Sequence, residues 1–269
     1  MRRTALLLAT LVLAGSAMPA AALTHHRTEF DVRFAGVAVG KATFDIRFDR
    51  EGYQLDLSGR TVGVADLFAP GRGAAESSGK IVEDRVRAER HTVIYHEKKK
   101  KRPATLEMTF RDGALDTVKL DPDKRRTKEP PRWVPVTPEQ LKAVVDPASG
   151  IVIPVPHERA TDPRAVCDRV VNIYDGDTRY DIALRYKATK PVETGGYKGW
   201  AHVCQLRYVP VSGHRPSQKN VQYMRDNKLM EIWLAPMAAT NIFSPIRVEV
   251  PTWLGRVVAE PAFFGVVQD

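Results

Sequence analysis

Little in this chain announces an enzyme or a membrane span. Cysteine occurs only twice, at Cys167 and Cys204, too seldom for a cysteine-rich scaffold. No GxSxG elbow, P-loop, GxGxxG fingerprint or HExxH pair is present, so the familiar sequence routes to hydrolase, nucleotide and zincin chemistry are missing. His96-Glu97 runs on into lysines, which leaves a metalloprotease pattern without its second histidine. Ser77-Ser78-Gly79-Lys80 lacks the spacing of a serine–lysine arrangement. Asp175, Asp177 and Asp181 provide too few oxygen ligands for calcium. No catalytic residue, metal or cofactor is therefore expected. Long apolar runs are absent after the N-terminus, and helical periodicity is scarce throughout.

The N-terminus carries the three parts of an export leader. Arg2 and Arg3 precede the apolar stretch from Ala5 to Gly15, and Ala20-Ala21-Ala22 supplies small residues for cleavage. The stretch is shorter than the roughly 20 residues a permanent transmembrane helix needs. Residues 1–22 are expected to be a cleavable signal peptide and residues 23–269 a single periplasmic domain without a transmembrane segment. Leu23 rather than cysteine follows the cut, so no lipoprotein anchor is expected. In an oxidising compartment Cys167 and Cys204 read as one disulfide. A zinc site or a nucleophilic thiol is the alternative, with no CxxC or CxxH partner nearby to support it.

The formal net charge is +9, which favours anionic surfaces such as lipid headgroups, lipopolysaccharide phosphates or acidic glycans. An exported protein seldom meets nucleic acid, so none is expected as a partner. Lys98, Lys99, Lys100, Lys101 and Arg102 form the densest charge run. Alternate residues of a strand point to opposite faces, so five consecutive cations cannot share a dry side. The run is read as a protruding hairpin, either a solvated edge or a contact with an anionic membrane surface. Trp133, Trp200, Trp233 and Trp253 are read as core before cavity lining.

Period-two alternation dominates the rest. Phe30, Val32 and Phe34 share one face, then Phe44, Ile46 and Phe48, then Tyr53, Leu55 and Leu57. Asp112-Gly113 and Asp175-Gly176 mark hairpin turns. Strands are expected over Arg85 to Lys101, Ala104 to Arg111, Leu115 to Leu120, Cys167 to Tyr174, Arg179 to Tyr186, Ala201 to Tyr208, Lys228 to Leu234 and Ile246 to Val250. Thr252 to Val258 and Phe263 to Val267 are expected to close the sheet. Gly71 to Gly79, rich in glycine, alanine and serine, reads as a loop or a close backbone approach. Residues 121–138 form a proline-rich connection, after which Thr137, Pro138 and Gln140 predict one short helix near 138–145. The fold class is all-β: an antiparallel meander forming a closed or partly open, spiral-like barrel, with a sandwich as the alternative.

Four stretches carry a family resemblance. They are the Phe30 to Gly40 strand with its Gly-Lys-Ala-Thr step, and Asp146-Pro147-Ala148-Ser149. The others are Cys167 leading to Tyr174-Asp175-Gly176 and Arg179-Tyr180, and Gly199 to Cys204 followed by Tyr208-Val209-Pro210-Val211-Ser212-Gly213. In this order they resemble the domain of unknown function 3108, exported β-rich proteins of Gram-negative bacteria. The resemblance implies an envelope location and no activity, and it carries over no catalytic residue. The function expected is non-enzymatic: binding a lipid, a glycolipid or another envelope component in support of envelope integrity. A hydrolase of cell-wall or lipid substrates and a scaffold using a β edge are the alternatives.

Overall fold

The computed structural model describes residues 24–48, 52–63, 65–66, 70–97, 102–122, 130–238 and 240–267. The leader expected at 1–22, the lysines Lys98, Lys99, Lys100 and Lys101, and residues 123–129 of the proline-rich connection lie outside them.

Alternation gives most strands one dry face, stretches of β12 and β13 are buried on both, and the buried side chains gather into three clusters. The first half runs β1 (Thr24–Phe34), β2 (Val37–Phe48), β3 (Tyr53–Thr61), β4 (Gly71–Val82), β5 (Arg85–Glu97), β6 (Ala104–Arg111) and β7 (Ala114–Asp121). A long crossover containing β8 (Ile153–Pro154) follows. The second half runs β9 (Arg169–Tyr174), β10 (Arg179–Thr194), β11 (Tyr197–Ser212), β12 (Met230–Pro236), β13 (Ile242–Thr252) and β14 (Gly255–Val266). All belong to one 14-stranded sheet in the order β7-β6-β5-β4-β3-β2-β1-β14-β13-β12-β11-β10-β9, with β8 set against β13. Neighbours are antiparallel, and the first and last strands pair in the middle of the order, Thr28 opposite Phe264.

The sheet curls into an open barrel. Its end strands, β7 and β9, do not pair with each other. Residues 142–146 lie as a strap in the seam between them. Lys142 bridges antiparallel to Ala114 on one side and Val145 parallel to Ile173 on the other. Val144 N–H donates to the Gly113 carbonyl at 3.2 Å, and Val145 N–H to that of Asn172 at 2.9 Å. The strap thus satisfies edge groups that a closed barrel would pair directly. The chain then passes inside: Val144, Ala148, Val152, Ile153 and Val155 are buried, so the interior is filled by the crossover rather than hollow. Ala148 and Val152 pack with Ile46, Phe48, Leu55 and Phe264.

The curl is pinned a second time. β12 is only 7 residues long against 16 in β11, so the β10–β11 hairpin overhangs it and reaches β14. There Phe264 N–H donates to the Gly195 carbonyl at 2.8 Å. Tyr197 and His26 both meet the Phe264 ring edge-on, with centroids 5.2 and 4.4 Å away.

Several local expectations are corrected. The glycine-rich stretch Gly71 to Gly79 is not a loop but most of β4, paired on both sides. Its missing side chains are filled from β5, since the Tyr95 ring covers Gly71 and Gly73. The helix expected near 138–145 is a 3-10 turn, Pro138–Leu141. Thr137 N–H does bond Gln140 Oε1 at 3.1 Å, but Lys142 turns extended because the next residues are drawn into the seam. Longer α-helical segments among the described residues lie elsewhere, α1 (Pro163–Cys167) and α2 (Lys219–Asp226). Cys167 therefore ends a helix instead of starting a strand. Asp162 caps α1 by accepting from Arg164 N–H at 2.9 Å. The two closing strands expected after Thr252 are one, β14. β10 continues past Tyr186 through Pro191, beyond Leu184, where its pairing with β9 stops opposite Arg169. On that edge a proline removes no ladder bond from a second partner.

Candidate functional site

The crossover brings two polar features together at the seam. The first is buried. Asp146 is 0% exposed and its Oδ1 accepts from Ala148 N–H at 3.0 Å, Ser149 N–H at 2.9 Å and Ser77 Oγ at 3.0 Å. Its Oδ2 accepts from Ser149 Oγ at 2.5 Å, and Tyr53 OH donates to that same Oγ at 2.6 Å. His91 Nδ1 stands 2.8 Å from Ser77 Oγ and 3.0 Å from Asp146 Oδ1. Burial works to raise the Asp146 carboxyl, but His91 and Ser149 outweigh it and hold the group below its ordinary range.

A serine, a histidine and an aspartate in contact invite comparison with a hydrolytic triad. The geometry differs from one. In a triad the two ring nitrogens serve different partners, one the carboxylate and the other the nucleophile. Here a single nitrogen faces both, Ser77 gives its proton to Asp146, and the group is sealed from solvent. The network is a clamp that fastens the crossover to β3, β4 and β5.

The second feature is open. A cleft of about 630 Å³ lies between the β4–β5 turn, the crossover, α1 and the start of β9. Val145, Val152, Ile153 and Val171 give it an apolar floor, and Arg85, Arg159, Arg164 and Arg169 line it. Three of these arginines have carboxylates of their own. Arg164 reaches Asp168 at 3.4 Å, Arg159 reaches Asp162 at 3.0 Å and Arg85 reaches Asp84 at 3.8 Å. Arg169 has none. Its Nη2 donates to the Ala165 carbonyl at 2.6 Å, while its buried Nε has no hydrogen-bond partner. Burial pulls the guanidinium pKa down; Asp84 counters, and Arg159 and Arg85 add to the fall. Asp84 and Asp168 line the same cleft, so its four arginines outnumber its carboxylates and leave its wall net positive.

Cys167 and Cys204 are joined as a disulfide, with Cα atoms 5.4 Å apart. The bond ties α1, a wall of the cleft, to β11. Of the expected cationic run only Arg102 lies within the described residues, exposed at a bend. Lys80 points away from Ser77 and meets Glu89 at 3.7 Å. Asp175 is occupied by its own turn, accepting from Thr178 N–H at 2.7 Å, and Asp181 is held by Arg179 at 2.5 Å. Trp200 and Trp253 are exposed rather than core, while Trp233 lies between Lys190 and Arg247, with 4.9 and 5.4 Å from cation to ring centroid. The cleft arginines were not singled out from the sequence. Their one signal, Arg159, Arg164 and Arg169 at five-residue steps, looks like any solvated face until the crossover turns them to a common side.

The family described as protein of unknown function DUF3108 matches residues 29–260. The chain belongs to the DUF3108 family. The match takes in the seam strap, the cleft and both cysteines of this DUF3108 chain. Among solved structures it is similar to the crystal structure of a β-barrel-like protein of domain of unknown function DUF1849 from Brucella abortus. The two are 10% identical, with a TM-score of 0.53, over 91% of this chain and 99% of that one. At that identity the likeness concerns the β-barrel-like fold. No curated protein matches the chain. Among the described residues, no helix is long and apolar enough to cross a membrane.

Proposed function

We propose that this DUF3108 protein is an exported, periplasmic, non-enzymatic binding protein that holds an anionic amphiphile of the cell envelope and so supports envelope integrity. The observation that carries the reading is Arg169, a guanidinium with no ion pair among the described residues, in a cleft whose four arginines outnumber its two aspartates. A phosphate of a lipid or glycolipid would supply the missing acceptor, because a guanidinium fork matches phosphate oxygens in two-point contact. The valine floor beside it suits the adjoining hydrocarbon. The leader read at residues 1–22 and the Cys167–Cys204 bond support an oxidising compartment. The Ser77–His91–Asp146 contact adds nothing to a hydrolase reading, since it lacks a proton relay.

The test is calorimetric titration of the mature protein with a short-chain phosphatidic acid below its micelle concentration, beside native mass spectrometry of protein taken from the periplasm. The wild type is expected to form a one-to-one complex. Arg169→Gln, checked for an unchanged circular dichroism spectrum, is expected to weaken it at least tenfold, about 1.4 kcal/mol. Equal binding by the variant, or none by the wild type together with a clean apoprotein mass, overturns the reading.

A further inference from the structure

Antiparallel order sends every second connection to the same end of the sheet, and the end opposite the arginine cleft has an unusual surface. The β13–β14 hairpin turns there through a two-residue loop, Trp253-Leu254, between paired Thr252 and Gly255. Such loops ordinarily take Asn-Gly or Asp-Gly, for backbone reasons. Neither Trp253 nor Leu254 adopts a positive φ, and they are 78% and 64% exposed. Neither turn geometry nor core packing accounts for two large apolar residues at this point.

The tip does not stand alone. Ala35 N–H, in the β1–β2 turn, donates to the Arg256 carbonyl at 2.9 Å. Asn227 Nδ2 and Tyr223 OH both donate to the Pro251 carbonyl, at 2.7 and 3.2 Å. Three connections are thereby tied into one knob, to which exposed Val37 and Leu229 belong. The carboxylates around it are already paired: Glu249 with Arg256 at 3.0 Å, Glu260 with Arg33 at 3.3 Å and Asp226 with Arg225 at 2.9 Å. Lys219 and Lys228 are exposed beside it.

Further along the same end, β2 to β5 form a recess of about 470 Å³ on the outer face. Lys41, Arg60, Arg72 and His96 stand in lateral register across it, Lys41 opposite Arg60, Arg60 opposite Arg72, and Arg72 opposite His96. Like charges placed directly across strands cost stability. Lys41 has Asp31 at 3.0 Å, but Arg60 and Arg72 have no ion pair among the described residues.

We propose that this end docks on an anionic lipid bilayer, with Trp253 and Leu254 entering the headgroup–acyl boundary and the Arg60–Arg72 row lying against lipid phosphates. Tryptophan is at home in that boundary, where its ring is half wet and half dry, and a basic surface draws it to anionic leaflets. The proposal is independent of the cleft, which lies at the other end and faces away from the docked bilayer.

The experiment is quenching of tryptophan fluorescence by vesicles of equal phosphatidylglycerol and phosphatidylcholine, with bromine on the acyl chains. The wild type is expected to bind and be quenched, and pure phosphatidylcholine vesicles are expected to bind at least tenfold less. Trp253→Phe keeps binding within about threefold but loses most of the quenching. Trp200→Phe, which removes an exposed tryptophan at the opposite end, leaves quenching intact. Arg60→Gln with Arg72→Gln weakens binding at least fivefold. No binding by the wild type overturns the proposal, as does quenching that survives Trp253→Phe. A concentration-dependent dimer abolished by Trp253→Ser, with vesicle binding unchanged, also overturns it and makes the knob a self-association face.

Discussion

Burial leaves His26 against Phe264 with both ring nitrogens lacking a hydrogen-bond partner. That burial, with the charge of His25 adding to it, lowers the His26 pKa from 6.5 to about 4. The unfolded chain therefore takes up the proton first as the medium is acidified. The contribution is fully present above pH 6.5 and is lost as the pH falls from there to about 4. A shift of that size corresponds to about 3 kcal/mol. Asp146 adds a lower window. Its carboxyl is held below the ordinary range, so its share is present above about pH 4 and lost as the pH falls through the lowered value. Urea denaturation at neutral pH and at about pH 4 should show the wild type losing about 3 kcal/mol that His26→Leu retains. Equal losses in the two proteins would remove His26 as the cause.

Among the elements, the β10–β11 hairpin illustrates how a local choice acquires a distant reason. A Cβ on Gly196 would stand 2.7 Å from the Phe263 ring and 2.9 Å from the Phe264 carbonyl, at a φ of +81°. Gly36 has nearly the same backbone, φ +84°, but open space around it. Gly36→Ala should cost about 1 kcal/mol for the backbone alone, and Gly196→Ala about 2–3 kcal/mol once the contact is added. Urea midpoints measure the difference, and equal shifts would show that the hairpin tip is not held against β14. Alternation made most strands readable in advance, as from Phe44 to Phe48 and from Tyr53 to Leu57. It failed at Gly71 to Gly79, where a strand forms because Tyr95 and the neighbours on both sides supply what the stretch lacks. It failed again after Gln140, where the seam overrides a correctly recognised helix start.

At the scale of the molecule, the disulfide matters through what it spans. Cys167 closes α1, Arg164 and Arg169 stand on either side of it, and Cys204 lies in the buried part of β11. Closing a loop with a sequence separation of 37 is worth about 3–4 kcal/mol on the chain-entropy account. The Cys167→Ser, Cys204→Ser double variant is expected to lose about that much in urea denaturation. It should also bind the phosphatidic acid probe more weakly than the wild type while still folded. Full retention of affinity would mean that α1 holds its place without the bond.

By itself the sequence determined the all-β class and membership of a family recognised by the order of four modest stretches, and it favoured a disulfide between its only two cysteines. Those properties are local or combinatorial: a period of two, one available partner, a series along the chain. Tertiary structure alone decided that the barrel stays open with a strap in its seam, that the crossover fills its interior, and that four scattered arginines line one cleft while Arg60 and Arg72 share another face. The physical reason is separation along the chain. Arg85 and Arg169 carry no mutual signal in sequence and become neighbours only when some eighty intervening residues fold the β4–β5 turn against α1.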